Sequence, residues 1–190
     1  MKVSSPKAAL DKLVAGNAIY TYSRKTAVDV SREKRWETAV KGQEPYAVVV
    51  TCSDSRVPCE SVFNAGIGEL FVIRTAGNVV GDFELGSIEY AIANLDVPLI
   101  VVMGHTKCGA VTAALEGEAE GYICAIIQEI KGGLVGGESV EEGVYKNSRH
   151  SIGRIYQSPK VCDMISSGKV GIVCAEYDNH TGHVTFFDEC

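Results

Sequence analysis

The chain has 190 residues, 46% of them apolar, 22% charged and 7% aromatic, an ordinary globular balance that excludes disordered, collagen-like and coiled-coil classes. Acidic residues outnumber basic ones 24 to 18, a formal net charge of −6, so the chain exerts no overall pull on nucleic acid or an anionic membrane. No apolar run approaches the ~20 residues of a membrane span, Lys7, Asp11 and Lys12 stand where a secretion signal keeps an apolar core, and the seven cysteines do not space like a disulfide framework.

These features predict one cytoplasmic domain over residues 1–190, acting with neither nucleic acid nor membrane. In chain order, Ser5-Pro6 reads as an N-cap followed by proline at the first helical position, with Leu10, Leu13 and Val14 on one stripe. A second short helix is expected from about Ser31, with Trp36, Ala39 and Val40 on one face. The polar stretch from Thr21 to Val30 between them has no strong period, so residues 1–40 read as a helical arm.

Beyond the arm, the segments 46–52, 70–77, 99–105 and 169–177 are β-branched runs, apolar on both faces, as suits strands of a covered parallel sheet. Helical stripes lie between them: Leu85, Ile88, Ile92 and Leu95, then Tyr122, Ile126 and Ile130. Ser158-Pro159 opens another helix through Val161, Met164 and Ile165, closed by Gly168. Residues 131–138 are Gly-rich and read as a loop, and the end from Glu176 onward reads as a hairpin turning near Asn179 and Gly182. Strands alternating with helices predict an α/β fold with a mostly parallel central sheet flanked by helices.

Two strand ends carry metal-ligand residue types, Thr51-Cys52-Ser53-Asp54-Ser55-Arg56 and Gly104-His105-Thr106-Lys107-Cys108-Gly109. Sites in parallel α/β sheets form beyond the carboxyl ends of strands. Cys52, His105 and Cys108 offer two thiolates and an imidazole, a set that suits zinc and leaves a fourth, catalytic position open. Taken singly, each residue is as well explained as a core cysteine or a hydrogen-bonded histidine. Asp54 and Arg56, two apart and on one side of extended backbone, shift the balance toward a site: beside a metal they fix a carboxylate as acceptor, although such a pair can also be purely structural.

The series CSDSRVP, FVIRTAGN and GHTKCGA resembles the signature of the beta-class carbonic anhydrases, from Gly16-Asn17 to the hairpin motif YDNHTG. The resemblance implies zinc on Cys52, His105 and Cys108, a catalytic Asp54–Arg56 dyad, and a homodimer or larger assembly in which the N-terminal helices embrace a neighbour. It also implies substrate contacts from Gln43, Phe71, Tyr90 and the backbone of Gly109, with Gln43 often supplied by the other subunit. One departure is Val49, which stands where some bacterial members carry a tryptophan of a regulatory bicarbonate site, although Val57 and Arg74 fit its other positions. Cys124, Cys162 and Cys174 are expected in the core and Cys190 at a frayed terminus.

The resemblance thus implies a zinc lyase that interconverts carbon dioxide and bicarbonate through a zinc hydroxide. Two alternatives remain open at this point. A relative with the same zinc chemistry could hydrolyse carbonyl sulfide or carbon disulfide. A non-catalytic zinc or redox-responsive protein would show a lost dyad or a fourth strong ligand. His150, His180 and His183 are candidates for proton transfer by residue type alone.

Overall fold

The computed structural model describes residues 2–23, 28–117 and 119–187, so Cys190 and part of the polar stretch between the first two helices lie outside it. The four apolar runs form strands β1 (Ala47–Cys52), β2 (Leu70–Thr75), β3 (Leu99–His105) and β4 (Gly171–Tyr177), and the terminal hairpin adds β5 (Val184–Phe186). Their order across the sheet is β2-β1-β3-β4-β5. The first four are mutually parallel and β5 pairs antiparallel with β4. Every residue of β1 and β3 is buried, because alternate side chains enter two different cores. Val49, Val101 and Met103 face one; Val48, Val50, Ile100 and Val102 face the other. At roughly 1.5–3 kcal/mol for each large aliphatic side chain removed from water, these two strands anchor the sheet and fix its register.

Helix α1 (Pro6–Tyr22) starts where expected: the Ser5 hydroxyl accepts a hydrogen bond from the Ala8 N–H. It does not stand apart from the fold, since Ala9 and Leu13 are fully buried in the first core. Gly16 crosses against the backbone of Phe63 so closely that a Cβ would lie 1.9 Å from its carbonyl oxygen. Asn17 sits beside it, 4% exposed. Its amide donates to the carbonyls of Val62 and Gly182 at 3.2 and 2.9 Å, and its oxygen accepts from the Val184 N–H at 2.9 Å.

Helix α2 (Arg32–Lys41), capped by Ser31, buries none of its residues. Trp36 and Val40 are 69% and 64% exposed, so the apolar face read in the sequence is present but is not covered by any of the described residues.

The remaining helices are α3 (Cys59–Val62), α4 (Asp82–Asn94), α5 (Gly109–Glu116), α6 (Ile123–Lys131), α7 (Val140–Ile155) and α8 (Pro159–Ser166). Ile88 and Ile92 of α4 are buried as their spacing requires. In α6 the buried face is Ile127 and Ile130, and Tyr122 is the fully exposed N-cap rather than part of the stripe. Cys174 is buried, whereas Cys124 and Cys162 are only half-buried. None of the six described cysteines forms a disulfide. No helix among the described residues is long and apolar enough to cross a membrane.

Candidate metal centre

Cys52 is the last residue of β1 and His105 the last of β3. The two strands are hydrogen-bonded neighbours, so the parallel register alone brings both side chains to the carboxyl edge of the sheet. Cys108 follows as the N-cap of α5. Between the two β3-side residues, Lys107 takes a left-handed conformation with φ of 56°, which turns the chain back toward Cys52. The two sulfurs and one imidazole nitrogen lie within 4.8 Å of one another, all three residues being buried.

Two polar groups face the ring of His105. Nδ1 lies 3.0 Å from the carbonyl oxygen of Thr106 and 3.1 Å from the Asn179 amide nitrogen; in the tautomer whose Nδ1 proton goes to that carbonyl, Nε2 offers a lone pair. Nε2 is buried and has no hydrogen-bond partner. A buried acceptor left unpaired costs free energy, and here it stands beside two cysteine sulfurs. A cation resolves that deficit, and the set of two sulfurs and one imidazole fits zinc. Asn179 supports the arrangement by donating its amide to the same Thr106 oxygen at 2.7 Å, while its backbone N–H reaches the Thr106 hydroxyl at 3.0 Å.

Without metal, the two sulfurs titrate as a pair. The Cys108 thiol donates toward Cys52 and pulls the Cys52 thiol well below its ordinary range, helped by His105 and by the backbone of Asp54 and Gly77, against burial. Cys108 moves the opposite way because it keeps the proton beside a thiolate and is itself buried.

The loop after β1 carries Asp54 and Arg56. Arg56 Nε donates to Oδ1 at 2.9 Å and Nη2 to Oδ2 at 2.7 Å, a two-pronged pairing that only a guanidinium makes. The Arg56 backbone N–H also reaches Oδ1 at 2.9 Å, and Nη2 touches the Lys107 carbonyl at 3.3 Å. Those bonds hold the Asp54 carboxyl well below the ordinary carboxylate range. Asp54 Oδ2 lies 3.8 Å from His105 Nε2, so the carboxylate borders the ligand atoms while remaining bound to Arg56. Arg74 secures the loop from β2: Nε donates to the Cys52 carbonyl at 3.1 Å and Nη2 to the Asp54 carbonyl at 2.7 Å.

The other residues singled out in the sequence fall elsewhere. Gly109 opens α5 beside Cys108, with nothing within 4 Å of where a Cβ would be, so its backbone is open at the site. Gln43 is exposed ahead of β1, at the opposite end of the sheet, and β1 by itself is ~17 Å long. Phe71 pairs in register with Val48, four residues and ~13 Å along the strand from Cys52. Tyr90 on α4 stacks obliquely on Phe71 at 6.3 Å between ring centroids. Within one chain, these three side chains do not meet the ligand cluster.

Several residues around the group were not singled out in the sequence for this role: Gly77, whose N–H donates to Cys52 Sγ at 3.2 Å, Asn179, Asn147, whose amide donates to the Gly77 carbonyl at 2.7 Å, and Arg74 as a clamp on the loop. Gly77 lies within the motif FVIRTAGN. Asn147 lies on α7, a helix announced by the capping box of Ser139 and Glu142.

Two cysteines and one histidine that could hold a metal ion, placed where a parallel sheet opens and flanked by a clamped carboxylate, are the kind of site an α/β metalloenzyme carries. The carbonic anhydrase family model matches residues 47–184, and the chain belongs to that family, in its beta class of carbonate dehydratases. It is 34% identical to carbonic anhydrase 2 of Mycobacterium tuberculosis, over 99% of this chain and 96% of that one. It is 35% identical to a carbonic anhydrase of Mycolicibacterium smegmatis, over 97% of this chain and 94% of the relative. Among solved structures, it resembles a tetrameric beta-carbonic anhydrase of Sordaria macrospora, with a TM-score of 0.74, 24% identity, and coverage of 82% of this chain and 87% of the other. The beta-carbonic anhydrase of Coccomyxa gives a TM-score of 0.70 at 24% identity, covering 94% of this chain and 81% of the other.

Proposed function

We propose that the protein catalyses the reversible hydration of carbon dioxide to bicarbonate and a proton, with zinc held by Cys52, His105 and Cys108. The observation that carries the reading is the unpartnered, buried Nε2 of His105, grouped with two cysteine sulfurs and bordered by a carboxylate already bound to arginine. Zinc held there would acidify water and so supply a nucleophile near neutral pH.

The chain's own residues do the positioning. Asp54 Oδ2 accepts a hydrogen bond from the nucleophile's O–H and directs a lone pair at the carbon of the substrate. Arg56 fixes both Asp54 oxygens and keeps the carboxylate from swinging into the place the nucleophile needs. The Gly109 N–H, at the start of α5, faces an oxygen of the bound substrate, where a fixed donor stabilises charge as it develops.

Gln43, Phe71 and Tyr90 complete the substrate pocket from a neighbouring subunit. Their placement away from their own chain's ligands supports that assignment, as does the uncovered apolar side of α2. The active form is therefore a homodimer or a larger homo-oligomer. The six described cysteines form no disulfide, which fits a reducing compartment, and the proposed location is the cytoplasm.

Parallel assays on one zinc-quantified sample test the substrate. Carbon dioxide hydration should exceed sulfide release from carbonyl sulfide or carbon disulfide by orders of magnitude. Sulfide release as the dominant activity would transfer the same residues to the other substrate.

A further inference from the structure

Helix α7 turns three buried polar side chains toward the short 3-10 turn Ala76–Asn78: Asn147, Ser148 and Ser151 are each no more than 1% exposed. Burying amide and hydroxyl groups on one helix face costs free energy unless each finds a partner. Here the partners they find belong to the turn, while Asn147 Oδ1 is left without one. Asn147 Nδ2 donates to the Gly77 carbonyl at 2.7 Å, Ser151 Oγ donates to the Asn78 carbonyl at 2.9 Å, and Asn78 Nδ2 reaches Ser148 Oγ at 3.4 Å.

The turn is also held sterically. Gly77 has φ of +67°, and a Cβ there would come within 2.7 Å of Ile130 Cδ1 and 3.1 Å of Ala110 Cβ. The left-handed conformation and the close approach both require glycine. On the other side of the same residue, the Gly77 N–H points at Cys52 Sγ, 3.2 Å away. The carbonyl that Asn147 grips and the N–H that meets the sulfur flank a single α-carbon, so fixing one orients the other.

We infer that Asn147 is a positioning residue for the metal centre, acting through Gly77 to aim an N–H at the Cys52 sulfur. This rests on reading Cys52 as a metal ligand. An N–H donated to a ligating thiolate draws charge from the sulfur and fixes its direction. Outer partners of this kind typically change metal affinity by roughly 10–100-fold when removed. The Asn147 Nδ2 donates to the Gly77 carbonyl, and its Oδ1 is buried without a hydrogen-bond partner, so the residue acts on the centre through Gly77.

The test replaces zinc by cobalt(II), whose thiolate charge-transfer absorption reports the charge on sulfur, and measures zinc affinity separately by competition with a chromophoric chelator. Three variants are compared with the unmodified protein. Asn147→Ala removes the grip on Gly77, Ser151→Ala loosens the adjoining carbonyl more gently, and Ile152→Ala removes α7 packing in the second core without touching the turn. The expected result is a charge-transfer band moved to longer wavelength and zinc bound at least tenfold more weakly in Asn147→Ala. Ser151→Ala should give a smaller change of the same sign, and Ile152→Ala none, although it lowers stability.

Unchanged spectra with zinc affinity within twofold in Asn147→Ala, or in Ser151→Ala if the former does not fold, would overturn the inference. Equal changes in Ile152→Ala would overturn it too, by showing general loosening. Absence of the charge-transfer band in the unmodified protein would instead remove the metal reading, and this inference with it.

Discussion

Arg56 holds both carboxylate oxygens of Asp54, at 2.9 and 2.7 Å, and one of them, Oδ2, lies 3.8 Å from the Nε2 of His105. The carboxylate is thus beside the cluster but occupied elsewhere. Asp54→Asn should therefore keep about one zinc per chain and lose 100-fold or more in kcat/KM, the scale of removing one fixed group that acts in the transition state. Arg56→Lys should also lose most activity, since an ammonium cannot reproduce the paired bonds. Metal analysis alongside stopped-flow hydration checks both, and near-normal turnover in Asp54→Asn would leave the pair a structural role only.

Removing a ligand has a different signature. Cys52→Ala and Cys108→Ala should each purify with little or no zinc, because two protein ligands seldom hold the ion tightly. Full zinc occupancy in Cys108→Ala would disprove the ligand set.

The exposed face of α2 makes assembly testable by size. Sedimentation should show dimers or larger species at assay concentrations. Trp36→Glu should shift the distribution toward monomer and reduce activity together with it. A fully active monomer would exclude any contribution of Gln43 from a second chain.

The pH profile follows from charge. Arg56 depresses the pKa of Asp54, so the stabilisation from their pairing is present above the unfolded carboxyl pKa near 4. It is lost only as pH falls through the still lower folded value. Asp54 therefore stays charged at every pH from 5 to 9 and contributes no inflection there. Two thiolates offset the positive charge with which zinc acidifies water, unlike three neutral imidazoles. Hydration kcat/KM should rise from neutral into alkaline pH, with dehydration favoured toward lower pH. A hydration profile flat from pH 6 upward at constant ionic strength would contradict this.

Asn17 offers a check on the fold rather than the site. Its three hydrogen bonds join α1 to the carbonyls of Val62 and Gly182 and the N–H of Val184. Asn17→Ala would leave these buried groups unpaired and should cost about 3 kcal/mol in urea unfolding, with zinc content retained in the folded fraction.

The strands were legible because β1 and β3 are buried on both faces, which writes a continuous apolar run into the sequence. The helix starts at Ser5, Ser31 and Ser158 were legible because a capping hydroxyl must precede the first turn. The ligand types at the ends of β1 and β3 were legible too, since parallel pairing makes strand ends neighbours. What surrounds them was not. The Gly77 N–H, the Asn147 amide and the Arg74 clamp join residues 20 to 70 positions apart, and no local pattern records which buried carbonyl an asparagine will meet. Nor did spacing reveal that Gln43 and Phe71 sit at the far end of the sheet, or that the apolar face of α2 would lack a partner among the described residues.

The most direct test of the catalytic reading is a zinc titration of metal-free protein, followed by stopped-flow carbon dioxide hydration at alkaline pH. The rate should rise linearly and break at one zinc per chain, with Asp54→Asn binding the same amount of zinc but showing almost no rate. Hydration no faster than buffer at full zinc occupancy would contradict the assignment.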